Sequence, residues 1–87
     1  MAYRIQFTRN AENALAKLDR RLLIRVKAKI FELADNPRPT GSARLAGHRH
    51  YSRIRIGDYR VIYRVDDQSN LVEISRIAHR RELYRDL

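Results

Sequence analysis

At 87 residues, with 44% hydrophobic and 33% charged side chains, the chain has the composition of one folded domain over residues 1–87, with no room for a second core. There is no Cys, which excludes a disulfide framework, a thiolate zinc site and a Cys nucleophile, and apolar runs stay as short as Leu22-Leu23-Ile24, so no membrane span is expected and the cytoplasm is the expected location. The net charge of +9, from 19 Lys and Arg against 10 Asp and Glu, calls for a polyanionic partner, either nucleic acid or an acidic protein.

Tyr3-Arg4-Ile5-Gln6-Phe7 alternates apolar and polar side chains, the pattern of a short half-buried strand. Thr8 is a suitable N-cap for a helix carrying Ala11, Ala14, Leu15 and Leu18 on one face. Asp19 caps a second helix with the stripe Leu23, Val26, Ile30 and Leu33, which Asn36-Pro37-Arg38-Pro39 ends. From Thr40-Gly41-Ser42 onward the period changes to two. Residues 43–46 form a weak strand candidate, and Gly47-His48-Arg49-His50 reads as a turn. Residues 51–56 and 59–65 are strong strands joined by the two-residue loop Gly57-Asp58, with Gly supplying the positive φ such loops need. Residues 66–70 form a second turn, 71–78 a last strand, and 79–87 a charged tail with one helical turn. The order β-α-α-β-β-β-β defines an α+β domain. Its sheet of four to five strands is antiparallel, mixed at the first strand, and carries a helical hairpin on one face.

The hairpin loop sets a register in which facing residue numbers sum to 115. Arg55 then faces Arg60, and Arg53 faces Ile62. Alternation sends Ile54, Ile56, Tyr59, Val61 and Tyr63 toward the helices, and Arg53, Arg55, Arg60 and Arg64 to the uncovered side. Like charges directly opposed on a sheet destabilise it, so this cluster points to a bound anion rather than a merely solvated face. All ten basic residues after position 43 are Arg, whose planar fork suits phosphate.

Other chemistry is sparse. No Gly-rich phosphate loop or carboxylate pair is evident, His48, His50 and His79 lack companion ligands, and Asp66-Asp67 reads as a solvated turn. Neither a metal nor a cofactor is expected. An arginine cluster with His79, Tyr84 and surface hydroxyls suits cleavage of RNA by its own 2′-OH, where the protein aligns the attack, neutralises the phosphate and moves protons.

Residues 7–18, Leu45-Ala46-Gly47, the run Arg53-Ile54-Arg55-Ile56-Gly57-Asp58-Tyr59-Arg60-Val61-Ile62-Tyr63 and the run Ile77-Ala78-His79-Arg80-Arg81-Glu82-Leu83-Tyr84 together resemble the RelE/ParE toxin superfamily. The likeness runs over nearly the whole chain and is most specific in its second half. It implies the fold derived above and one partner of a toxin–antitoxin pair. RelE members act as messenger RNA interferases that cleave mRNA in the ribosomal A site, whereas ParE members poison DNA gyrase. The basic and tyrosine positions of RelE members fall on Arg53, Arg55, Arg60, Arg80 and Tyr84, and all five are filled here. The resemblance therefore implies a metal-independent endoribonuclease with Arg60, Arg80 and Tyr84 as catalytic candidates, to which the residue inventory adds His79. Arg53, Arg55, Arg64 and Arg81 are the RNA-binding candidates. It also implies a RelB-like acidic antitoxin in a hetero-oligomer, with the ribosome and mRNA as further partners. Some RelE toxins have Lys where Arg53 and Arg55 stand. Arg stays protonated, so the general base must be another group, Tyr84 or His79. A gyrase inhibitor without chemistry of its own, and an inactive antitoxin-binding member, are the alternatives.

Overall fold

Both N-terminal helices start at the side-chain caps expected of them. In the computed structural model, residues 2–85 are described, with side chains throughout that range except at Arg49 and residues 83–85. Strand β1 (Arg4–Phe7) leads into helix α1 (Arg9–Ala16), where the Thr8 hydroxyl accepts the Ala11 N–H at 3.2 Å. Helix α2 (Arg20–Glu32) begins in the same way, with Asp19 Oδ1 accepting the Leu22 N–H at 2.9 Å. The chain then forms β2 (Ala43–Leu45), β3 (His48–Ile56), β4 (Tyr59–Asp66), β5 (Leu71–His79) and a short terminal helix α3 (Arg80–Arg85).

The five strands make one sheet in the order β1-β5-β4-β3-β2. Every neighbouring pair is antiparallel except β1 with β5, which is parallel. The mixed α+β sheet expected from the sequence is thus the one observed. Ala11 and Leu15 of α1, with Val26, Ile30 and Leu33 in and just after α2, meet Ile54, Ile56, Val61, Tyr63, Val72, Ile74 and Ile77 in a single buried cluster. Each fully buried aliphatic side chain contributes roughly 1.5–3 kcal/mol, so this face holds the domain together. Tyr63, fully buried, donates its hydroxyl to the Pro37 carbonyl at 2.7 Å and so ties β4 to the loop after α2.

The β3–β4 register is the one the two-residue loop dictates: Ile56 pairs with Tyr59, Arg55 with Arg60, Ile54 with Val61 and Arg53 with Ile62. Gly57 has φ 59, as the first loop position of a type II′ turn requires. Residues 48–50, expected in a turn, instead open β3. The turn is the tighter Ala46-Gly47, with Gly47 at φ 77, and a bulge between Arg44 and Leu45 absorbs the change in register. His48 and His50 are exposed there, so their polarity reflects the sheet's edge rather than a loop.

A second irregularity lies in the middle of the sheet. Ile62 pairs with Arg76 but Tyr63 pairs with Ile74, which leaves Ser75 as an extra residue on β5. The Ser75 carbonyl is taken up by the Thr8 hydroxyl at 2.9 Å, so one side chain caps α1 and satisfies the bulge. Among the described residues, no buried side-chain nitrogen or oxygen lacks a hydrogen-bond partner.

Candidate functional site

Alternation along three adjacent strands builds one basic surface on the side of the sheet away from α1 and α2. It carries Tyr51, Arg53 and Arg55 from β3, Arg60, Ile62 and Arg64 from β4, and Glu73, Arg76 and Ala78 from β5. Arg55 and Arg60 are direct cross-strand partners, and Arg53 stands two residues along the same face. Partial burial pulls the Arg53 guanidinium below its ordinary value, and the positive charges of Arg55 and Arg60 lower it further. The register places the three side chains on one face, with Arg55 and Arg60 directly opposed. Such like-charge pairing costs about 0.2–1 kcal/mol per opposed pair. An anion placed between them would reverse the sign of that term.

Arg64 differs. Its Nε lies 3.5 Å from Glu73 Oε1, directly across the β4–β5 pair, and both side chains are about two-thirds covered, at 33% and 29% exposure. The charge available to a ligand is therefore concentrated toward the hairpin end of the sheet. There, the Arg80 backbone N–H donates to the Asp58 carbonyl at 2.8 Å, which fixes the start of α3 beside the turn that precedes Arg60. Arg80 and Arg81 are exposed in the first turn of α3. Tyr84 belongs to the same helix, and its side chain lies outside the described residues.

His79 is held differently from the arginines. It pairs with Tyr59, whose side chain is on the helix-covered face, and the two rings meet edge to face with centroids 5.3 Å apart. Its Nδ1 accepts the Arg81 N–H at 3.2 Å, the geometry of an N-cap for α3. The fold thus gathers Arg53, Arg55 and Arg60, anchors Arg80 and Arg81 beside them, and leaves His79 on the opposite side of the sheet.

Two residues on the basic surface were not singled out from the sequence: Tyr51 and Arg76. Tyr51 was accessible by counting back two residues from Arg53. Arg76 was hidden by the bulge at Ser75, whose one signal is that the apolar positions Val72, Ile74 and Ile77 break the period of two.

Asp66 and Asp67 have structural partners. Asp66 Oδ1 accepts the N–H groups of Gln68 and Ser69 at 3.1 and 3.2 Å. Asp67 accepts both guanidinium nitrogens of Arg38, at 3.3 and 2.9 Å, and the Tyr3 hydroxyl at 2.6 Å. The Arg38 contact, then that of Tyr3, holds the Asp67 carboxyl below the usual carboxylate range. Among the described residues, no group of three or more His, Asp or Glu is placed to hold a metal ion, and no helix is long and apolar enough to cross a membrane.

Known proteins share this fold. Residues 5–84 match the family described as ParE toxin of type II toxin-antitoxin system, parDE. The toxin RelG of Mycobacterium tuberculosis is 35% identical over 86 residues, covering 98% of this chain and 99% of RelG. The crystal structure of the RelBE2 toxin–antitoxin complex from the same organism superposes with a TM-score of 0.80 at 32% identity, covering 91% of this chain and 99% of the other. The archaeal RelE–RelB complex from Pyrococcus horikoshii gives a TM-score of 0.81 at 28% identity, over 92% and 97% of the two chains. Fold and sequence together are those of a toxin from a toxin–antitoxin pair. The chain belongs to the RelE/ParE superfamily of type II toxins.

Proposed function

We propose that this toxin is a metal-independent endoribonuclease acting on mRNA in the ribosomal A site. The observation that carries the reading is the Arg53–Arg55–Arg60 cluster on the uncovered face of the sheet. A scissile phosphate held by Arg60 and Arg80 would be attacked by the adjacent ribose 2′-OH. The O2′–P bond forms and the P–O5′ bond breaks, leaving a 2′,3′-cyclic phosphate and a 5′-OH. The 2′-OH proton leaves to a base, and a proton reaches the departing O5′. Arg53, Arg55, Arg64 and Arg81 hold the flanking backbone, with Arg64 contributing least while Glu73 neutralises it.

None of these arginines accepts a proton, so proton transfer falls to Tyr84 or His79. Tyr84 is preferred, because His79 Nδ1 is already engaged by the Arg81 N–H and the ring rests on Tyr59. The partner is a RelB-like acidic antitoxin that neutralises the +9 charge and covers or displaces the tail; relatives solved as toxin–antitoxin complexes support a partner of that kind. The setting is the cytoplasm, with the chain acting as one domain.

Expression without an antitoxin, followed by mapping of mRNA 5′ ends against the reading frame, tests the reading. In-frame cuts within codons are expected. Tyr84→Phe should lower single-turnover cleavage by ~10²-fold or more with ribosome binding intact. The ParE description of the matching family favours a second reading, a gyrase inhibitor. DNA damage with intact mRNA would establish that reading instead.

A further inference from the structure

One concavity lies away from the arginine face. It is a cleft of about 600 Å³ between α1, β5 and α3, lined by Arg9, Asn13 and Lys17 on one wall and by Arg76, Tyr59 and Glu82 among the residues opposite. Topology explains its origin. β1 covers the outer edge of β5 only from Leu71 to Ile74, so from Ser75 to His79 that edge has no strand on it. α1 lies along that stretch, and its residues 9, 13 and 17, spaced four apart, point one helix face into the gap.

Three features single this cleft out as an anion site. Its lining carries three cations against one carboxylate. Arg9 is the first residue of α1, where a positive charge opposes the helix dipole, so helix stability does not explain it. Arg76 connects the two surfaces: its register position opposite Ile62 belongs to the arginine face, yet its side chain lines the cleft. Tyr59 in the cleft and Arg60 on the open face are adjacent residues, so the two sites meet across the end of the hairpin.

We propose that the cleft is a second RNA-backbone subsite, into which single-stranded RNA flanking the scissile phosphate passes around the uncovered edge of β5. Arg9, Lys17 and Arg76 take phosphates, and Asn10 and Asn13 offer amides to sugar or base edges. The site rests on the endoribonuclease reading and extends it, because it makes affinity depend on RNA length.

The test uses uncleavable 2′-O-methyl RNAs of about four and about twelve nucleotides, spanning the usual range of single-strand sites. Binding is measured by fluorescence anisotropy over a salt series. The longer RNA should bind wild type more tightly and with a steeper salt slope. Arg9→Ala/Lys17→Ala should reduce that slope by about 1.4, at about 0.7 per phosphate contact, and leave the short RNA unaffected. Both positions are exposed on or beside α1, where Ala is the best helix former, so the fold is retained. Lys27→Ala/Lys29→Ala on α2 is the charge-matched control and should behave as wild type. The subsite is overturned if Arg9→Ala/Lys17→Ala keeps the wild-type slope, loses both RNAs equally, or behaves like the control. It is equally overturned if that variant loses only binding to polyglutamate, which would assign the cleft to an acidic peptide. Wild type binding neither RNA would overturn the subsite, while the mapping of mRNA 5′ ends decides the endoribonuclease reading separately.

Discussion

A guanidinium cannot serve as a base near neutral pH, so each arginine here acts by charge and geometry alone. Arg60 and Arg4 make a clean comparison because both sit on the uncovered side of the sheet. Arg60 pairs with Ala78 of β5, and Arg4 pairs with Leu71. Seven residues along one strand separate those points, about 20 Å at the usual rise. Arg60→Ala should abolish mRNA cleavage, while Arg4→Ala, with the same loss of charge, should leave it within about twofold if position matters as argued. Equal losses in a single-turnover assay would show that total charge, rather than a defined phosphate site, drives activity.

At the scale of the element, α3 is the piece on whose order the proposed mechanism depends most, for it carries Arg80, Arg81 and Tyr84 and has only one and a half turns. Isolated helices of that length do not persist in water, so the His79 cap and the Arg80–Asp58 hydrogen bond must hold it. Asn is a strong N-cap with no imidazole. If His79 orders the helix, His79→Asn should retain most of the cleavage that His79→Ala loses; if His79 is the base, both variants should fail alike. The strands, helices and arginine face could be read from the sequence because short local signals mark them. Thr8 and Asp19 announce the helix starts, and Gly57-Asp58 sets the register of all six β3–β4 pairs on its own. The bulge at Ser75 is different. It is stabilised by Thr8, from the other end of the chain, and its one local trace in β5 is the break in period between Ile74 and Ile77. The same non-locality concealed Arg76, and the helix-side position of His79 emerged only from its pairing with Tyr59.

For the molecule as a whole, Asp67 is a point of closure. It joins the start of β1 through Tyr3, the loop after α2 through Arg38, and the turn between β4 and β5. Its carboxyl is held below the ordinary value by those partners, so the folded state favours the ionised form. That contribution is complete above the unfolded value of about 4 and is lost as pH falls through the lower folded value. Between about pH 5 and pH 2 the urea midpoint of wild type should therefore fall further than that of Asp67→Asn. Parallel curves for the two proteins would show that the cluster does nothing for stability.

The parallel pairing of β1 with β5 has a consequence in time. Protein synthesis delivers β1 first and β5 after every other strand, and β1 has no other neighbour in the sheet. Until Ile74 has been made, the partner of Phe7 does not exist, and α1 lacks the strand its cap reaches for at Ser75. Contacts of such long sequence separation also form slowly, because loop closure precedes any gain. A nascent chain halted before β5 should thus remain protease-sensitive throughout, with no resistant N-terminal fragment, and acquire resistance in one step once β5 is free to pair. On that expectation the arginines of β3 and β4, although made earlier, become ordered as one face only when the strand that completes the sheet has been made.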